Sequence, residues 1–119
     1  MYIAGKSLVS LRDHYKQYLF EEYLPFWDRH GIDHQLGGFM CALDHDGTLL
    51  DDSKNMWYQG RGLWTYSYLY RHFGGEEHLD VARKTRDFLL ANGRDEQGDW
   101  VTGLDREGRV AAPAARRGY

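Results

Sequence analysis

Between residues 56 and 73 ten of eighteen positions are apolar or aromatic, too many rings for a surface segment, with Gly60 and Gly62 as the only breakers. On a helix turning about 100° per residue, Trp57, Arg61, Trp64 and Tyr68 fall into one narrow stripe. Tyr58, Gly62, Leu63, Tyr66, Leu69, Tyr70 and Phe73 cover most of the opposite side. A helix that is apolar nearly all round belongs in an interior, so this pattern predicts a central helix with neighbours on both faces, ended by Gly74-Gly75. The flanking helices are one-sided. Ser7 is the expected N-cap of the first, in which Leu8, Leu11, Tyr15, Tyr18, Leu19 and Phe26 share a face; Pro25 should kink or end it near Leu24. Residues 76–92 form the last, with Leu79, Val81, Ala82, Phe88, Leu89 and Leu90 on one broad side and Asn92-Gly93 as its stop.

The segments between the helices repeat. Residues 37–43 read as a short strand, 44–47 as a turn and 48–50 as a returning strand. The same signature returns at 98–110 with a constant offset of 61 residues: Gly37 to Gly98, Leu43 to Leu104, Asp44 to Asp105 and Gly47 to Gly108. A period long enough to hold two helices and a hairpin points to a stacked or toroidal array of helical pairs. One-sided helices flanking a two-sided one fit the outer and inner layers of a double-walled barrel. Residues 111–119 lack helical periodicity and read as an irregular tail, so the chain is expected to be the front end of something longer, a single domain's N-terminal portion across 1–119.

Composition narrows the chemistry. A net charge of −3 over 119 residues, without a basic stripe, gives no case for nucleic acid. The single Cys41 excludes an internal disulfide and suits a reducing, cytoplasmic setting. No run of about 18 apolar residues is present, so no membrane partner is expected.

The candidate site is the stripe. Arg61 stands among Trp57, Trp64 and Tyr68, and an unpaired buried charge is costly, so the guanidinium must reach a carboxylate, carbonyls or a wet cavity. One reading makes Arg61 structural, paired with a core acid and stacked on Trp57 or Trp64. The other makes the stripe an aromatic-walled pocket for a polar ring such as a sugar. Gly60 and Gly62 each cost a helix interior roughly 1 kcal/mol against Ala, a cost expected where a backbone or ligand comes close. Other constellations have simpler explanations. His30 and His34 are read as an exposed loop pair and not as metal ligands, Asp51 and Asp52 as helix caps, and Lys54 as a solvated lysine. Asp44, Asp46 and Asp105 are turn residues, although paired carboxylates in a helical toroid would suit glycoside hydrolysis.

Tyr23-Leu24-Pro25-Phe26-Trp27, then Gly37-Gly38-Phe39 with Leu43-Asp44-x-Asp46-Gly47, then Lys54-x-x-Trp57-x-Gln59-Gly60-Arg61 resembles the N-terminal part of the N-acylglucosamine 2-epimerase family. The likeness runs to about Val110. It implies an (α/α)6 barrel, of which about three helices and two short hairpins lie here, and an isomerase acting on sugars. It implies proton abstraction α to the carbonyl of a ring-opened sugar, without a cofactor or metal. It carries Arg61 over as the arginine facing the sugar oxygens and Trp57 as a pocket wall. The family's proton-transferring histidines do not correspond to His14, His30, His34, His45, His72 or His78, so no catalytic residue is assigned within the chain. Alternatives are another carbohydrate-active toroid, a hydrolase or lyase, and a non-catalytic interaction segment. The exposed inner face of the central helix is expected to drive self-association, with a homodimer as one form.

Overall fold

The computed structural model describes residues 1–114. Three helical rods carry the chain. The first is continuous from Leu8 to His30 in three parts: α1 (Leu8–Tyr18), a π-helical turn (Leu19–Tyr23) and α2 (Leu24–His30). Ser7 caps it as expected, its hydroxyl accepting from the Ser10 amide at 3.1 Å. Pro25 neither ends nor replaces the helix. The Leu24 amide bonds to the Leu19 carbonyl five residues back, and this wider turn just before the proline makes room for a ring that an ordinary α-turn would crowd.

The second rod, α3 (Met56–Phe73), is capped by Asn55, whose side chain accepts from the Trp57 amide at 3.0 Å. Asp51 and Asp52 are therefore not its caps; the Asp51 carboxylate closes a local turn by accepting from the Ser53 amide at 2.7 Å. The third rod, α4 (Glu76–Asn92), packs along α3. Its inner face holds Val81, Ala82, Thr85, Phe88 and Leu89. Thr85 enters because its hydroxyl is satisfied by the Val81 carbonyl at 2.8 Å, and Leu90 faces outward.

Short antiparallel pairs join the rods: β1 (Tyr2–Ile3) with β2 (Lys6–Ser7), β3 (Ala42–Leu43) with β4 (Leu49–Asp51), and the three-stranded set β5 (Lys54–Asn55), β6 (Gly103–Leu104), β7 (Val110–Ala112). The β1–β2 pair and β5 carry no alternation strong enough to be read in the sequence. Strand β7 takes in Ala111 and Ala112, so the irregular stretch starts later than residue 111, and 115–119 lie outside the described residues.

The 61-residue repeat is reproduced bond by bond. Ala42 pairs Asp51 and Leu43 pairs Leu49; Gly103 pairs Ala112 and Leu104 pairs Val110. The Asp44 amide bonds the Thr48 carbonyl as the Asp105 amide bonds that of Arg109, both at 2.8 Å. Beneath each hairpin lies its own core cluster. One gathers Leu24, Ile32, Phe39, Tyr66, Leu69, Val81 and Ala82, the other Phe88, Leu89, Val101 and Leu104, and Leu63 of α3 packs against both.

The expectation that α3 is buried on both faces is not met within the described residues. Only Gln59, Tyr66 and Leu69 of this helix are buried, while Trp57 is 68 % and Trp64 66 % exposed. The core clusters take the flank carrying Tyr66 and Leu69, and no described element lies over the flank carrying Trp57 and Trp64. The first rod is open too: α1 has no buried residue, and Leu8, Tyr15 and Tyr18 of its apolar face are exposed.

Candidate functional site

The segment leading into β3, which carries Phe39, is tied to α3. The Gln59 side chain is fully buried and acts as a surrogate strand neighbour for Phe39. Its Oε1 accepts from the Phe39 amide at 2.7 Å, and its Nε2 donates to the Phe39 carbonyl at 2.8 Å and to the Asn55 carbonyl at 3.3 Å. Phe39 then lies flat against the helix at Gly62, where any Cβ would overlap its ring. That close approach explains one of the two helix glycines. Gly60 is different: a Cβ there meets nothing within 4 Å, because the residue faces an open concavity.

That concavity, of about 640 Å³, is lined by Met56, Trp57, Gly60, Arg61, Trp64 and Thr65. The Arg61 guanidinium lies over the Trp57 ring, 4.8 Å from its centroid. Farther along the same stripe Trp64 stacks on Tyr68 at 5.2 Å, and Tyr68 meets His72 at 4.0 Å. Arg61 also borders a smaller hollow of about 180 Å³ beside Tyr23, Trp27, Phe39, Cys41 and Tyr58. Among the described residues no carboxylate pairs with Arg61. The guanidinium borders an open concavity with an indole face beneath it. Trp57 and Arg61 are brought together on one wall.

The remaining candidates resolve differently. Lys54 is not a solvated lysine: it is fully buried, and its Nζ donates to Asp33 Oδ2 at 2.9 Å, the Gly37 carbonyl at 2.8 Å and the Arg106 carbonyl at 2.9 Å. Arg106 grips the same carboxylate from the other side, Nε to Oδ2 at 3.0 Å and Nη2 to Oδ1 at 3.2 Å. Burial alone would raise the Asp33 carboxyl. Hydrogen bonds from Arg106, the Leu36 amide and Lys54 outweigh it and hold the group at about 2. Burial pulls the Lys54 ammonium below the usual lysine range, with Asp33 opposing. No sequence signal distinguishes this lysine from a surface one, since its partners lie 17, 21 and 52 positions away.

His30 is half-buried, in ring contact with Phe26 at 4.9 Å, whereas the exposed His34 bonds Asp28. Among the described residues no three His, Cys, Asp or Glu side chains gather as ligands for a metal. Asp44, Asp46 and Asp105 serve their turns, accepting from the amides of His45, Thr48 and Arg109. Each carboxyl is held below its ordinary range: Asp44 by the His45 side chain and amide, Asp46 by Thr48, and Asp105 by the Arg109 amide. A glycosidase acid needs the opposite shift.

Residues 37–119 match the family model of N-acylglucosamine 2-epimerase (GlcNAc 2-epimerase), a stretch that runs past Val110, where the motif-level resemblance ends. The chain belongs to that family. It is 40 % identical over 74 residues to human N-acylglucosamine 2-epimerase, covering 60 % of this chain and 17 % of that protein. It is 35 % identical over 99 residues to cellobiose 2-epimerase of Ruminococcus albus, covering 81 % of this chain and 25 % of the relative. Among solved structures, cellobiose 2-epimerase from Bacillus thermoamylovorans superposes with a TM-score of 0.78 at 24 % identity, covering 88 % of this chain and 27 % of that one. A sugar epimerase from a ruminal bacterium superposes with a TM-score of 0.73 at 33 % identity, covering 83 % and 26 %. The chain thus spans between a sixth and about a quarter of its relatives' length. Its fold is part of the (α/α)6 barrel of the cellobiose 2-epimerases, with three helical rods among the described residues. No described helix is long and apolar enough to cross a membrane.

Proposed function

We propose that this chain supplies one wall of the sugar site of a 2-epimerase or aldose–ketose isomerase, with Arg61 and Trp57 as its substrate-binding residues. One observation carries the reading: a guanidinium held on an indole face, in an open ring-lined hollow, with no carboxylate partner among the described residues. The indole presents a flat apolar surface suited to the C–H face of a pyranose. The guanidinium offers a fork of donors to sugar oxygens.

In the reaction a base removes the proton on the carbon next to the carbonyl of the open-chain sugar. The electron pair moves to the carbonyl oxygen, giving an enediolate. Return of a proton to the opposite face of C2 yields the epimer; return to C1, with the O2 proton passing to O1, yields the ketose. A fixed cation beside the oxygen that gains charge favours the transition state over the ground state, the condition for rate acceleration. Arg61 fills that role.

The test is incubation of the active protein with aldoses in heavy water, including N-acetylated and disaccharide ones, followed by NMR at C2. Deuterium at C2, and its loss by about 100-fold or more in Arg61→Ala, is the expected result. Absence of exchange from every aldose refutes the chemistry, and near-normal turnover of Arg61→Ala returns Arg61 to a structural role.

We infer a second property from the same face. With Trp57 and Trp64 about two-thirds exposed, the stripe is an apolar patch that associates with itself wherever no other segment covers it. Cys41 as a free thiol supports a cytoplasmic setting.

A further inference from the structure

Three separate pieces of chain meet at one buried lysine. Asp33 and Gly37 belong to the loop leading into the first hairpin, Arg106 to the tip of the second, and Lys54 stands two residues ahead of the first residue of α3. An ammonium has three donors and no acceptor, and all three are spent, one on each of Asp33, Gly37 and Arg106. Its remaining face rests on the Phe88 ring, 4.0 Å from the centroid. Asp33 is just as fully used, bound by Lys54, by Arg106 twice and by the Gln35 and Leu36 amides. Replacing a whole buried ion cluster by well-packed apolar side chains often costs nothing in stability, whereas removing a single member leaves a buried charge short of a partner. What a methyl group cannot do is fix direction.

We propose that Asp33, Lys54 and Arg106 are positioning residues for the sugar site: their cluster sets where α3 begins and thereby where Trp57 and Arg61 stand. The path is short. Lys54 and Asn55 form β5, paired with Leu104 and Gly103; the Met56 amide bonds the Thr102 carbonyl at 3.1 Å, and Asn55 caps the helix through the Trp57 amide. Trp57 is the second residue of the helix and Arg61 lies about one turn farther on. A shift of the helix start, along its axis or around it, is passed to both. Arg106 adds the second hairpin, so the wall of the site is registered against both repeats at once.

This rests on the sugar-site reading above, and the experiment separates the two. In the active protein, Lys54→Met and Arg106→Gln are each combined with Arg61→Ala, and kcat and KM are measured well below the melting transition with the folded fraction checked by circular dichroism. A displacement on the order of 1 Å costs up to about 100-fold in rate, so each clasp variant is expected to lower kcat by about 10-fold or more. In the Arg61→Ala background the same changes should cost several-fold less, because one of the two groups they position is gone. Arg106→Lys, which keeps a cation on Asp33, should recover most of the rate. Arg106 is the more exposed member, so its Gln variant serves if Lys54→Met does not fold. Undiminished kcat in folded variants, or losses that multiply fully with Arg61→Ala, overturn the positioning role while leaving the sugar site standing. A normal rate for Arg61→Ala alone removes both.

Discussion

At the scale of single residues, the deciding contrast is between two cations seven positions apart in sequence. Lys54 is withdrawn from water and completely partnered; Arg61 is solvated and rests on a ring. Removing the first leaves a buried carboxylate short of a partner, so Lys54→Ala should destabilise by about 3–5 kcal/mol in chemical denaturation. Arg61→Ala, at an exposed position without an ion pair among the described residues, should change stability by less than about 0.5 kcal/mol. The Asp33 carboxyl makes a pH prediction. Its folded value of about 2 lies below the ordinary 3.8, so the native state binds that proton less readily than the unfolded chain does. Its stabilisation, on the order of 2 kcal/mol, is complete above about pH 4 and is lost as pH falls toward 2. Melting curves over that window should fall more steeply for the parent than for Asp33→Asn.

At the scale of elements, α3 is placed by its contact with the first hairpin, and its two glycines test how. Gly62 faces the Phe39 ring, so Gly62→Ala forces that ring to move and should cost about 1–3 kcal/mol. Gly60 faces open space, so Gly60→Ala gains helix propensity and should stabilise by about 0.5–1 kcal/mol. The same change adds a methyl group to the concavity and should raise KM for the sugar. If both variants shift the denaturation midpoint in the same direction, the hairpin contact is not what sets the helix. Gln59→Leu strips hydrogen bonds from both the amide and the carbonyl of Phe39; leaving those buried groups unpaired should cost about 2–5 kcal/mol.

At the scale of the whole molecule, the chain is extended. Its radius of gyration is 17.0 Å, where a compact domain of this length has about 13–14 Å. The two core clusters lie along one side of α3 and the aromatic stripe faces the other way, so the described residues form a slab with one packed and one open face. The self-association inferred from that face should appear as a rise in scattering mass with concentration in the chain alone. Trp64→Glu, which puts a charge in the middle of the stripe, should reduce it without unfolding the protein. A concentration-independent monomer would count against the patch as an adhesive surface.

Local pattern was enough for the three helices, the Ser7 cap, the glycine stops and the duplicated hairpin, because each depends on side chains within a few positions or on a period the chain repeats. It also singled out Arg61 with Trp57, since residues four apart on a helix share a face whatever surrounds them. Burial was another matter. Whether α3 is enclosed, whether Lys54 meets water or a carboxylate 21 residues away, and why Gln59 belongs in the motif all turn on what packs against the helix from distant segments. A hydrophobicity pattern says which side chains gain by leaving water. Only the assembled neighbours decide which of them do so, and which charges they take along.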